Sequence, residues 1–363
     1  MTKKGICISL IILLFFSISC RKDTVGGTIS AYQGTPYQID YPPILAQNIP
    51  PMTIPLDNPM TVEGVELGRK LFYDNILSGD HTQACASCHL IESGFSDIDR
   101  FSVGIDGLEG NRNSMPLINL GWADKLFWDG RASSLEDQAF GPVVNPIEMH
   151  NTWPRAVLDL QKHSEYPDLF NKAFNTFKID SVLVSKALSQ FERTLISGDS
   201  PLDRYLRGIP SGYSLQEEQM MVAGLDLFMN EDKGDCFHCH GDPTNPLWTD
   251  NLFHNNGLDA SFEDLGLGAI TGNPSDNGKF KTPTLRNLVF TAPYMHDGRF
   301  ETLEEVINHY SIGLQSSSTI DPLMKKVDIG GAQLTPLEKS QLKFFLESLT
   351  DSSFIENPAF QKP

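Results

Sequence analysis

The most specific chemical signal in the chain lies in four cysteines and two histidines. Cys85-Ala86-Ser87-Cys88-His89 and Cys236-Phe237-His238-Cys239-His240 both read Cys-x-x-Cys-His. In such a pentapeptide two thiols can add across the vinyl groups of a porphyrin while the adjoining imidazole lies close enough to bind iron, which attaches a c-type haem. Cys85, Cys88 and His89 would hold one haem and Cys236, Cys239 and His240 a second, with His89 and His240 as iron ligands. Three other uses of paired cysteines compete. Zinc would bring the two pairs together without needing a histidine after each, a redox dithiol belongs in a βαβ setting, and disulfides fit the compartment only. His238, inside its motif, is expected beside solvent or a propionate rather than on iron.

The elements that must position these residues are helical. Val65 to Phe72 reads as an amphipathic helix leading to the first motif, and a capping box at Ser214 and Glu217 opens a helix through Met221, Leu225 and Phe228 before the second. Asp180 to Ser197 carries Val184, Leu188, Phe191 and Leu195 on one face. Leu303, Val306, Ile307 and Tyr310 form a stripe behind a Thr302/Glu305 box; Thr335, Pro336 and Glu338 open a last helix with Leu342, Phe345, Leu346 and Leu349 buried. No alternating series is long enough for a sheet. The expected fold is mainly α, with two cytochrome c-like haem domains and long loops: residues 62–205, residues 206–350 and a tail over 351–363.

Acidic residues outnumber basic ones 46 to 28, for a formal charge of -18, and no Lys/Arg-rich run is present. That sign is wrong for a nucleic-acid partner. At the N-terminus, Lys3 and Lys4 precede an apolar stretch from Ile6 to Ile18 that ends Ser17-Ile18-Ser19-Cys20. Residues 1–19 are thus expected to be a lipoprotein signal peptide, with lipidated Cys20 as the mature N-terminus on the periplasmic side of a bacterial membrane. Prolines 36, 42, 43, 50, 51, 55 and 59 make residues 20–61 read as an extended spacer. Gly266-x-Gly268 fails the dinucleotide pattern and reads as loop.

Taken with the two motifs, Arg112-Asn113-Ser114, Phe127-Trp128-Asp129-Gly130-Arg131-Ala132, Gln138, Gly141-Pro142, Glu148-Met149, Thr282-Pro283-Thr284-Leu285-Arg286-Asn287 and Ala292-Pro293-Tyr294-Met295-His296-Asp297-Gly298 complete a pattern. From about Glu63 to Leu349 the chain resembles the bacterial dihaem cytochrome c peroxidases, a family that includes the dihaem enzyme maturing methylamine dehydrogenase. The resemblance implies that peroxide reacts at the haem on His89 and that the haem on His240 stores and feeds electrons, with Met295 as its second ligand. Tyr294 is a rival, since the maturation branch uses tyrosine. Glu148 would move a proton between the peroxide oxygens, Gln138 would orient the peroxide, and Trp128 would bridge the haems. Asn113, Thr282 and Thr284 would hold a calcium ion between the halves. The implied partners are hydrogen peroxide and a small donor such as a monohaem cytochrome c or a cupredoxin, with a homodimer permitted.

One departure bears on mechanism. Where many family members place a removable histidine ligand, this chain reads Ser102-Val103-Gly104-Ile105-Asp106-Gly107, and Ile105 cannot ligate. The haem on His89 is therefore expected to be five-coordinate or to hold only water when oxidised, needing no reductive activation. The resulting expectation is a peroxidase that reduces hydrogen peroxide to water; the alternatives are oxidation of another protein's side chains and a dihaem electron carrier without substrate chemistry.

Overall fold

The computed structural model describes residues 34–363, so the expected leader and Cys20 lie outside the described residues. In chain order the helices are α1 (Pro43–Asn48), α2 (Val62–Tyr73), α3 (Leu135–Gln138), α4 (Phe140–Val144), α5 (Trp153–Lys162), α6 (Tyr166–Phe174), α7 (Ser181–Glu192), α8 (Pro201–Leu206), α9 (Leu215–Met229), α10 (Phe237–His240), α11 (Leu267–Thr271), α12 (Leu303–Asn308), α13 (Pro336–Glu347) and α14 (Ser352–Glu356). Strands β1 (Phe253–His254) and β2 (Phe280–Lys281) make a two-residue antiparallel pair. The fold is mostly helical with little sheet, and long loops join the helices.

Two helix pairs frame the motifs. Helix α2 packs on α7 and α9 packs on α13, each pair lying over one hydrophobic core. The close approach needs glycine at corresponding places: a Cβ at Gly68 would fall on the Ala187 carbonyl, and one at Gly224 on the Gln341 carbonyl. Four residues after each glycine a buried phenylalanine, Phe72 or Phe228, packs into the core. Gly68→Ala and Gly224→Ala are each expected to cost about 1–3 kcal/mol through overpacking, seen as a lower thermal midpoint.

The three expected capping boxes form, and two further caps close the helices that start at Val62 and Ser181. Thr61 and Asp180 accept from the backbones of Gly64 and Leu183, and reciprocal boxes form at Ser214/Glu217, Thr302/Glu305 and Thr335/Glu338. Two ends differ from expectation. Helix α7 stops at Glu192 rather than Ser197, where the Thr194 hydroxyl turns back to the Phe191 carbonyl at 2.6 Å. The stripe ending at Tyr310 leaves α-geometry after Asn308 and widens into a π turn over His309–Gly313.

Three expected boundaries need correction. Residues 34–61 are not an extended spacer: Pro36 pairs with Thr61, and Pro43 begins α1, whose Ile44 and Leu45 bury against Leu247. Proline at the first turn favours a helix that continues beyond it, which composition alone does not reveal. The division at 205/206 falls inside α8, whose Leu202 joins the second core and whose Asp203 pairs with Arg286. Residues 351–363 are no free tail either. Phe354 and Phe360 return to the first core, and the Asp351 carboxylate accepts from Ser197, Gly198 and Asp199.

Candidate functional site: two cysteine-histidine cavities

The first motif opens into a cavity of about 260 Å³ lined by Cys85, Cys88, His89, Trp128, Gln138 and Glu148. The second opens into one of about 230 Å³ lined by Cys236, Cys239, His240, Tyr294 and Met295. The two Cys pairs thus face separate cavities. A zinc ion shared by the two pairs would need them on one cavity, whereas each pair lines its own. All four thiols are free. Burial pushes the Cys88 thiol up to about 11 and Cys236 to about 12, the wrong direction for a redox dithiol.

Both histidines suit an iron ligand. His89 Nδ1 lies 2.8 Å from the Phe95 carbonyl, so a proton on Nδ1 leaves the Nε2 lone pair for a metal. Burial lowers the pKa of His89 and takes His240 down to about 4, keeping both imidazoles neutral. Free thiols and a neutral imidazole beside each cavity fit covalent haem.

Glu148 is half-buried on a turn that follows α4. Its backbone N–H donates to the Asn145 carbonyl, and the Asn145 side-chain amide donates to Oε1 at 2.6 Å while Asn145 Oδ1 accepts from Ile147. Burial raises the Glu148 pKa, opposed by the Asn145 bond and by the Arg131 charge. Sequence reading does not single out Asn145 as the partner of Glu148, although Asn before Pro signals a turn that one side chain can close. Asn145→Ala is expected to raise the Glu148 pKa further, moving the acid limb of a peroxide-turnover profile to higher pH.

Trp128 lines both cavities, as do Asn113 and Lys281, and its indole N–H donates to the Asn113 carbonyl at 2.8 Å. Burial takes the Lys281 ammonium down to about 8, against the raising effect of Asp250. In the second cavity Met295 has φ +74°, and its Sδ lies 3.7 Å from the Asn256 amide, which also donates to Tyr310. The Tyr294 hydroxyl donates to the Leu288 carbonyl at 2.8 Å.

Asn113, Thr282 and Thr284 all line the second cavity. The Thr282 carbonyl accepts from Thr249, the Thr284 hydroxyl donates to Leu247, and the Asn113 amide lies 3.3 Å from the Asp99 and Arg100 carbonyls. These three residues would offer calcium neutral oxygens alone. His238 pairs with Asp235. His81 and His150 pair with Asp159 and Asp106 on the surface, and among the described residues His89 is the one histidine lining the first cavity. The Ile105 side chain packs towards Gly79.

A family model described as di-haem cytochrome c peroxidase matches residues 62–211. The methylamine utilization protein MauG of Methylophilus methylotrophus is 35% identical over 299 residues, covering 81% of this chain and 84% of that protein. The chain belongs to the di-haem cytochrome c peroxidase family. This di-haem family member is also 32% identical to the cytochrome-c peroxidase IdrP1 of Pseudomonas sp. strain SCT, across 90% and 91% of the two chains. A crystal structure of a MauG-like protein associated with microbial copper homeostasis superposes with a TM-score of 0.79 at 36% identity, covering 90% of this chain and 99% of that one. The chain is accordingly a peroxidase-family oxidoreductase, and the family implies two c-type haems, hydrogen peroxide as substrate and a cytochrome donor. Among the described residues no helix is long and apolar enough to cross a membrane.

Proposed function

We propose that the chain reduces hydrogen peroxide to water in the His89 cavity, taking two electrons and two protons per peroxide. The electrons come singly from a small redox protein, a monohaem cytochrome c or a cupredoxin, through the His240 site. What carries this reading is Glu148, a carboxyl of raised pKa held by Asn145 in the cavity that contains His89. Haem bound there supplies the iron that accepts peroxide and passes it electrons. Glu148 takes the proton from the near peroxide oxygen and delivers it to the far one, so that the far oxygen leaves as water rather than hydroxide. Gln138, on the same wall, orients the peroxide. Trp128, common to both cavities, offers the aromatic step between them.

Met295 would be the second residue to hold the His240 haem in this reading, because both Met295 and Tyr294 line the cavity and the Tyr294 hydroxyl is engaged by the Leu288 carbonyl. Residues 62–200 and 201–350 then form the peroxidatic and electron-transfer halves. Export and a lipid anchor on Cys20, with calcium at Asn113, Thr282 and Thr284, complete the proposal. The likeness to MauG favours a second reading, oxidation of another protein's side chains, and the engaged Tyr294 weighs against it. Glu148 and Gln138 weigh against a mere electron carrier.

Among the described residues His89 is the one histidine that lines the first cavity, so a haem held there would have no second histidine to ligate it. The oxidised holoprotein is expected to show one high-spin and one low-spin ferric haem by EPR, and the high-spin signal should vanish within milliseconds of adding H2O2. Two low-spin signals, or indifference to peroxide, would overturn the reading.

A further inference from the structure

The first cavity holds a second carboxyl that the peroxide chemistry leaves unused. Glu192, the last residue of α7, is only 7% exposed, yet it lines the same cavity as Glu148 and His89. None of the hydrogen bonds or ion pairs formed by the described residues involves its side chain, although its carboxyl oxygens are not sealed from solvent-sized space. Glu192 is thus a cavity-lining acid without a side-chain partner.

The charges around it do not neutralise it. The Arg193 guanidinium turns to Glu136, at 2.8 and 2.9 Å, and Glu136 takes a further bond from Asn58. On α2, Glu63 bonds Thr35, Arg69 bonds the carbonyls of Pro358 and Gln361, Lys70 pairs with Glu165, and Glu66 is exposed. On α6, Asp168 and Lys172 are exposed; on α3, Asp137 bonds Ser133; on α7 itself Lys186 pairs with Asp57. The groups left facing Glu192 are the Arg193 charge, the Glu136 charge and the Cys85 sulfur, which feels Glu192 more strongly than it feels Glu148. Burial outweighs Arg193, and the Glu192 pKa rises to about 8. At neutral pH this carboxyl is mostly protonated.

A protonated acid enclosed with a redox centre responds to that centre's charge. Reducing the iron removes one positive charge from the cavity and favours the neutral acid; oxidising it favours the carboxylate. We propose that Glu192 is the proton site coupled to electron uptake at the first haem. One electron from an external reductant converts ferric to ferrous iron, and one solvent proton forms the O–H bond of Glu192; reoxidation returns both. This rests on haem being bound at His89, not on what that haem reduces. It would give the first half a proton that arrives with an electron.

The test is a spectroelectrochemical titration of the holoprotein between pH 6 and 9.5, following the first haem. In the wild type its midpoint potential should fall as pH rises, approaching one proton per electron inside the window set by the two Glu192 pKa values. Glu192→Gln should flatten that fall, and Glu192→Asp should keep it in a displaced window. Glu148→Gln should keep it too. A flat wild-type profile, a slope that survives in Glu192→Gln, or one that disappears in Glu148→Gln would each overturn the proposal. Should Glu192→Gln fail to load both haems, the Asp variant and the protons taken up per electron in unbuffered wild-type solution still decide it: about one near pH 8 supports Glu192, and none refutes it. Peroxide turnover does not enter any of these readouts, so failure here is separate from failure of the peroxidase reading.

Discussion

Glu148→Gln is expected to lower peroxide turnover by about 10²- to 10⁴-fold while both haems remain attached. Glutamine keeps an oxygen that can accept from Asn145, whose amide now donates to Oε1, so the turn after α4 should hold its shape. What is lost is the ability to take a proton from one peroxide oxygen and give it to the other. The pH dependence separates this from a change of shape. Glu148 must be ionised to accept the first proton, and burial raises its pKa above the ordinary 4.5. Activity in the wild type should therefore fall as pH drops through that raised value, giving an acid limb above the range of an exposed glutamate. Glu148→Asp should retain the limb and Glu148→Gln should lack it. Stopped-flow mixing of H2O2 with each oxidised holoprotein measures the step directly, and an undiminished rate in the Gln variant would remove Glu148 from the chemistry.

The second large effect lies in the frame of the His240 half. Arg286 and Asp203 are both fully buried and joined by two bonds of 2.8 Å. Arg286 also donates to the Pro246 carbonyl, and Asp203 closes the capping box of α8 with Ser200. Removing one partner strands the other charge in a low-dielectric interior, so Arg286→Met is expected to cost about 3–5 kcal/mol, measured by denaturant unfolding of the holoprotein. Burial alone would raise the Asp203 pKa, but Arg286 and the Ser200 bonds outweigh it and leave it lowered. In the wild type this pair therefore contributes stability above the unfolded carboxylate pKa and loses it as pH falls through the lower, folded value. In Arg286→Met the sign reverses. The stranded carboxyl titrates above its unfolded value, so the deficit should shrink on acidification from pH 7 towards 5. Adding Asp203→Asn should recover part of the loss at neutral pH. If the single variant is as stable as the wild type, the pair is not holding α8 to the Thr282–Asn287 loop.

Much of this was legible in the order of residues. Cys85, Cys88, His89 and their counterparts at 236, 239 and 240 declare themselves because haem attachment needs two thiols and an imidazole within five residues, a local requirement that local sequence can state. The caps at Ser214, Thr302 and Thr335 are equally local. Glu148 and Gln138 were reached through family likeness, since one acid or amide has no spacing of its own. Distance along the chain hid the rest. That Pro36 meets Thr61, that Phe354 and Phe360 close the core begun by Leu67, and that Arg286 finds Asp203 depend on segments tens or hundreds of residues apart. Tertiary structure also decided how acids of one type divide. Glu148 receives the Asn145 amide, Glu136 receives Arg193, and Glu192 has neither and lines the cavity. A carboxyl's proton affinity follows from its burial and its neighbours, and only folding chooses those.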